Sequence, residues 1–142
     1  MSGRRNPVVL VGERPRTGFT MVGDELIRDG GHRDALGPDG YLILSYLLSC
    51  ASAPREDQRH WETSVRAMAD KFGMGRDRVR AALDRAGKDG RLVVREYLLD
   101  GRLAPNRCAY VVCAGGRRFT EEELLHWSRP AELKSRRRGG AP

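Results

Sequence analysis

The sequence predicts an α+β fold: a helical core followed by a β-hairpin, with short strands ahead of the helices and a short helix behind the hairpin. Three observations carry this reading. Apolar residues recur at helical spacing in Val65, Met68, Ala69 and Phe72, and again in Val79, Ala82, Leu83 and Ala86. Glycines punctuate those two stripes, at Gly73 and Gly75 between them and at Gly87 and Gly90 after the second. From Leu92 the pattern turns to β, with Leu92 to Leu98 and Cys108 to Cys113 rich in Val, Leu and Tyr.

In chain order, Pro7 to Val11 and Phe19 to Val22 read as short strands separated by a polar turn. After the Gly- and Asp-rich loop Asp29 to Gly37, Pro38 stands where a first helical residue belongs, because its missing N–H would be unpaired there anyway. Tyr41 to Cys50 continues as an apolar core helix, and Ala51 to His60 reads as a surface loop. Ser64 is the expected N-cap of the first short helix. The second helix runs from Arg76 to about Ala86, with Gly75 as a weak cap that lacks a side chain. The hairpin loop is expected over Leu99 to Arg107 (LDGRLAPNR), with turn chemistry at Asp100-Gly101 and Pro105-Asn106. Thr120 with Glu123 forms a capping box ahead of Leu124, Leu125 and Trp127, a short helix stopped by Pro130. The expected organisation is an N-terminal arm over 1–11, one domain over 12–115, a C-terminal helix within 116–130 and a disordered basic tail over 131–142.

Composition bounds the function. The 142 residues carry 26 Lys+Arg against 19 Asp+Glu, a formal net charge of +7, and 23 of the basic residues are Arg. Arginine suits phosphate and guanine because its planar fork bonds two acceptors at once, although codon usage in a GC-rich genome produces the same excess. The longest apolar stretch, Tyr41 to Cys50, is about half of the ~20 residues a membrane span needs. Pro7 to Val11 is too short for the core of a secretory signal of about 7 to 15 residues, so a cytoplasmic, nucleoid-associated protein is expected. Three cysteines, Cys50, Cys108 and Cys113, make no disulfide framework.

Two short helices joined by a three-residue turn with glycine and followed at once by a hairpin have the winged helix-turn-helix layout. Ala69 at the helix crossing, Gly73 in the turn and Val79 anchoring the second helix fit that unit. The stretch WETSVRAMADKFGMGRDRVRAALDRAGKDGRLVVRE, with GERPRTGFTMVGDELIRDGG upstream, resembles the winged helix-turn-helix domains of actinobacterial and phage DNA-binding proteins. Those domains include regulators and the N-terminal modules of replication initiators. The resemblance implies double-stranded DNA as partner, with the second helix in the major groove and a basic wing on the backbone or minor groove.

Placed at 100° per residue, the second helix turns Asp77, Ala81 and Asp84 outward, with Arg76 and Arg80 on one flank and Arg78 and Arg85 on the other. Arg76 and Arg80 can fork onto guanine, and Asp77 can accept from cytosine. Asp84 is expected to pair with Arg80 or to point away from DNA. Ser64 and Arg66 stand at a helix N-terminus, where backbone N–H groups favour phosphate. Arg95, Arg102 and Arg107 belong to the hairpin, with Arg102 the expected wing tip. Arg4 and Arg5 in front, and Arg136, Arg137 and Arg138 behind, either add phosphate contacts or serve as solvated ends.

Enzyme chemistry is not indicated. His32, His60 and His126 stand apart from any nucleophile or carboxylate in a recognisable spacing. Cys108 and Cys113 are five apart on one strand and so fall on opposite faces, which argues against a shared metal. Gly73-Met74-Gly75 is a lone turn and not a nucleotide fingerprint, so no cofactor is expected. Trp61 and Trp127 read as core residues. The leading expectation is a sequence-specific transcriptional regulator. A replication-initiation or plasmid and phage maintenance protein is the first alternative. A winged-helix adaptor for an acidic protein partner, motivated by Asp77 and Asp84, is the second. A homodimer is expected to use the helix Glu121 to Trp127, unless that helix packs back on its own core.

Overall fold

In a computed structural model describing residues 6–12, 22–23, 33–51 and 62–133, a mixed β-sheet carries helices on both faces. The elements are β1 (Asn6–Val11), α1 (Arg33–Ala51), β2 (Glu62–Thr63), α2 (Val65–Phe72), α3 (Arg76–Lys88), β3 (Leu92–Leu99), β4 (Arg102–Cys113), α4 (Glu121–Trp127) and β5 (Ala131–Leu133). The sheet order is β2-β1-β4-β3-β5. β1 runs parallel to β4 and β5 parallel to β3, while the β1–β2 and β3–β4 pairs are antiparallel. No helix among the described residues is long and apolar enough to cross a membrane.

Local chemistry sets the helix ends. Gly37, at φ 67° and ψ 170°, breaks the α1 backbone, and Pro38 opens the long apolar segment behind the break. Leu36, Ile43, Leu44, Leu47 and Leu48 from this helix fill the core. At α2 the Ser64 hydroxyl accepts from the Ala67 N–H at 2.9 Å, and Gly73 closes the helix in the left-handed region at φ 63°. α3 starts after Gly75 without a side-chain cap, and its buried stripe is Val79, Ala82, Leu83 and Ala86. At α4 both bonds of the capping box are present: the Thr120 hydroxyl accepts from the Glu123 N–H, and the Glu123 carboxylate accepts from the Thr120 N–H.

The hairpin differs from its expected form. Asp100 (φ 52°) and Gly101 (φ 80°) make a two-residue turn between the paired Leu99 and Arg102, so strand pairing extends to the tip through Leu99, Arg102 and Leu103 of the expected loop. The irregularity sits deeper: Glu96 pairs with Cys108 and Leu98 with Leu103, so Ala104 to Arg107 bulge out opposite the single residue Tyr97. Pro105, which has no N–H for a ladder, belongs to that bulge.

Two boundaries also shift. The strand expected at Pro7 to Val11 is present as Asn6–Val11, but inside the sheet and not in a separate arm, because the apolar run Val8 to Val11 pairs in parallel with Tyr110 to Cys113. Ala131 to Leu133, expected in the tail, pair with Tyr97 to Leu99. Of the strand expected at Phe19 to Val22, only Val22 lies within the described residues, where it bridges Gly115. The arm residues Arg4 and Arg5, the tail residues Arg136, Arg137 and Arg138, the histidines His32 and His60, and Trp61 lie outside the described residues.

The core has two parts. One lies between the sheet and α1, α2 and α3, and includes Val8, Met68, Val79, Leu92, Tyr110 and Val112. The other lies on the opposite face under α4, where Val93, Val111, Cys113 and Phe119 meet the partly buried Leu124 and Trp127. The helix considered for a dimer thus packs on its own sheet, leaving Leu125 exposed. Cys108 joins the first layer and Cys113 the second, as the strand period requires. Arg91 is fully buried beyond α3; it donates to Asp89 at 2.8 Å and to the Gly116 carbonyl at 2.8 Å.

Candidate nucleic-acid interface

Three separate elements send arginines into one cleft. Arg66 comes from the first turn of α2, Arg76 and Arg80 from α3, and Arg107 from the β4 bulge. The cleft, of about 1130 Å³, lies between these helices and the hairpin. Leu83, Val94, Leu103 and Ala104 also line it, and Asn6, Ser64 and Glu96 supply polar groups. Among the described residues, ion pairs occupy Arg78, Arg80, Lys88, Arg91, Arg117 and Arg118, and none occupies Arg66, Arg76 or Arg107.

The fold sorts the ten candidate residues into groups. Ser64, Arg66, Arg76, Arg80 and Arg107 share the cleft. Asp77 stands beside it, its side chain fully exposed, and accepts from Arg80 at 3.3 Å. Asp84 pairs with Lys88 at 3.1 Å instead of with Arg80; the ammonium lies one turn further on, while Arg80 reaches back toward Asp77. Arg102 sits at the exposed end of the hairpin beside the turn, away from the cleft lining.

Three of the ten are engaged elsewhere. Arg78 forks onto Asp39 of α1 at 2.7 and 2.9 Å. Hydrogen bonding and charge from Arg78 hold the Asp39 carboxyl below its ordinary range. Arg85 donates to the Ala35 carbonyl at 3.0 Å and lies against Gly37. Both therefore fasten α3 to α1, on the flank away from the hairpin. Arg95 lies on the α4 face of the sheet, where its guanidinium covers the Trp127 ring at 5.2 Å and donates to the Arg129 carbonyl at 2.8 Å. Strand alternation explains this placement: Val94 and Glu96 point into the cleft, so Arg95 between them must point away.

Two lining residues escape a reading of the sequence. Asn6 is buried, and its side-chain oxygen accepts from the Cys108 N–H at 3.1 Å across 102 positions of chain. Tyr110 is hydrogen-bonded to Asn6 and Cys108, and burial raises its phenol above the ordinary value. Burial likewise raises the Cys108 thiol, so both groups stay protonated at neutral pH and form the neutral end of the cleft. The run Pro7 to Val11 signals a strand next to Asn6, but nothing local signals its distant partner.

Chemically, the cleft offers guanidinium groups to an anion at least as long as the span from α2 to the hairpin, with an apolar lining behind them. Among the described residues no group of three or more His, Cys, Asp or Glu is placed to hold a metal ion. No protein-family model, curated protein or solved structure matches this chain.

Proposed function

We propose that the chain is a winged helix-turn-helix protein of the actinobacterial and phage type that binds double-stranded DNA sequence-specifically, as a transcriptional regulator. α2 and α3 form the helix-turn-helix, α3 is the recognition helix, and the β3–β4 hairpin is the wing. The observation that carries the reading is the convergence of Arg66, Arg76, Arg80 and Arg107 from three elements on one cleft, three of them without an ion-pair partner among the described residues. Four cations lining one groove suit a polyanion such as a phosphate backbone. Arg76 and Arg80, in the first turns of α3, stand where a recognition helix contacts base edges. The strand β1, which lies between β2 and β4, is an addition to the helix-helix-hairpin unit and braces the cleft through Asn6.

A second reading is favoured by exposed apolar residues along the hairpin, Val94, Leu99 and Leu103: an adaptor that docks a protein. Fluorescence anisotropy against a duplex from the upstream region of its own gene, a random duplex and a pool of genomic fragments separates the two. The regulator reading expects one site preferred by roughly a thousandfold or more over random duplex. Equal, salt-sensitive binding to every duplex indicates an architectural binder, and no binding to any of them supports the adaptor. The preferred fragment also decides between a promoter and a replication origin.

A further inference from the structure

Glu96 is the one acidic side chain among the cleft-lining residues, in company with Arg66, Arg76, Arg80 and Arg107. It is exposed, and among the described residues no cation lies within ion-pair distance of it. The surrounding guanidinium groups favour its negative charge, yet it makes no ion pair that fastens the fold among the described residues. The preceding β3 residues on that face, Leu92 and Val94, are apolar, and glutamate is a poor strand former. β5 covers β3 only at Tyr97 to Leu99, so Glu96 stands just outside that pairing, with its side chain on the cleft face.

We infer that Glu96 is a specificity-determining residue of the cleft: its carboxylate repels phosphate and holds down affinity for polyanions in general. A duplex then binds tightly only when Arg76 and Arg80 gain base contacts that outweigh the repulsion. This rests on the DNA-binding reading above. A like charge about 6 Å from a phosphate, in a water-like medium, changes affinity about threefold to fivefold.

The test compares wild type, Glu96→Gln and Glu132→Gln. Glu132 is exposed on β5, outside the cleft lining, so its substitution changes net charge equally without touching the site. Each protein is eluted from heparin resin by a salt gradient, then titrated by anisotropy into a random duplex and into the preferred duplex. Glu96→Gln is expected to elute at higher salt, to bind random duplex about fourfold tighter, and to lower the ratio of specific to random affinity. Glu132→Gln is expected to match wild type. Unchanged or weaker heparin and random-duplex binding by Glu96→Gln overturns the inference, as does an equal gain by Glu132→Gln. A loss confined to the preferred duplex overturns it too, because Glu96 would then read a base. Wild type that is retained on heparin but binds no duplex ends the DNA reading, while the heparin comparison still decides for or against Glu96.

Discussion

The Arg78 guanidinium holds the Asp39 carboxylate through two hydrogen bonds, of 2.7 and 2.9 Å, and so joins α3 to the long core helix α1. Two positions away, Arg76 and Arg80 line the cleft. One short helix thus divides its arginines between holding the fold and presenting a surface. Arg78→Ala is expected to lower the melting temperature and leave the salt dependence of duplex binding nearly unchanged. Arg76→Ala is expected to do the reverse, keeping the melting temperature while lowering the preference for the specific duplex over random duplex by about 1 to 3 kcal/mol. Calorimetry and a salt series on the two variants, with specific and random duplex, check this pair.

Gly37 occupies the left-handed region, and a Cβ there would run into the Arg85 guanidinium. Gly37→Ala therefore meets backbone strain, and it pushes the exposed Arg85 guanidinium aside. It is expected to destabilise by about 1 to 3 kcal/mol, read from urea unfolding.

The buried Arg91–Asp89 pair predicts a larger effect. Arg91 has no exposed surface, and Asp89 also accepts from Arg118 at 2.9 Å. Burial pushes the Asp89 carboxyl up, but hydrogen bonds from Arg118 and Arg91 outweigh it and leave the group below its ordinary value. Asp89→Ala removes the carboxylate from beside a buried guanidinium, which keeps its bond to the Gly116 carbonyl, and is expected to cost about 3 kcal/mol. Urea unfolding, with circular dichroism to confirm the folded baseline, measures it.

Glu123 sets an acid limit. Hydrogen bonds from Arg117 and from the Thr120 backbone bring its carboxyl down to about 2, from an ordinary 4.5. The depressed value means that the folded state favours the charged form. Its stabilisation is complete above about pH 4.5 and declines as the pH falls toward 2. Glu123→Gln is expected to lower the melting temperature at pH 7 and to shrink the difference between pH 7 and pH 3. Thermal unfolding of both proteins across that range tests the sign.

On the proposed DNA-binding reading, Arg107 is the expected hairpin contact in preference to Arg102. The bulge carries Arg107 into the cleft, while Arg102 remains at the tip. Arg107→Ala is expected to weaken duplex binding more than Arg102→Ala does, in parallel anisotropy titrations.

What the sequence made legible follows from the range of each interaction. The caps at Ser64 and Thr120, the left-handed Gly73 and the buried stripe of α3 rest on residues within a few positions of one another, and local pattern suffices for them. The Asp100-Gly101 turn was legible for the same reason. The place of β1 was not, since its apolar run is compatible with an edge, an arm or an interior strand until Tyr110 to Cys113 lie alongside. In the site, helical periodicity separated Arg76 and Arg80 from Arg78 and Arg85, but it could not show that Asp39 and the Ala35 carbonyl take the second pair. Arg95 belongs to the hairpin as expected, but hairpin membership alone does not tell which sheet face it takes, and a four-residue bulge that brings Arg107 to the cleft has no fixed sequence mark.

The salt dependence of duplex binding by wild type and by the Arg66→Ala, Arg76→Ala, Arg107→Ala triple variant tests the shared cleft most directly. Loss of the Arg66 and Arg107 phosphate contacts is expected to lower the magnitude of the slope by about 1.8, and loss of Arg76 to weaken binding to the preferred duplex further, with folding intact by circular dichroism. A variant that keeps the wild-type slope and affinity would contradict the account.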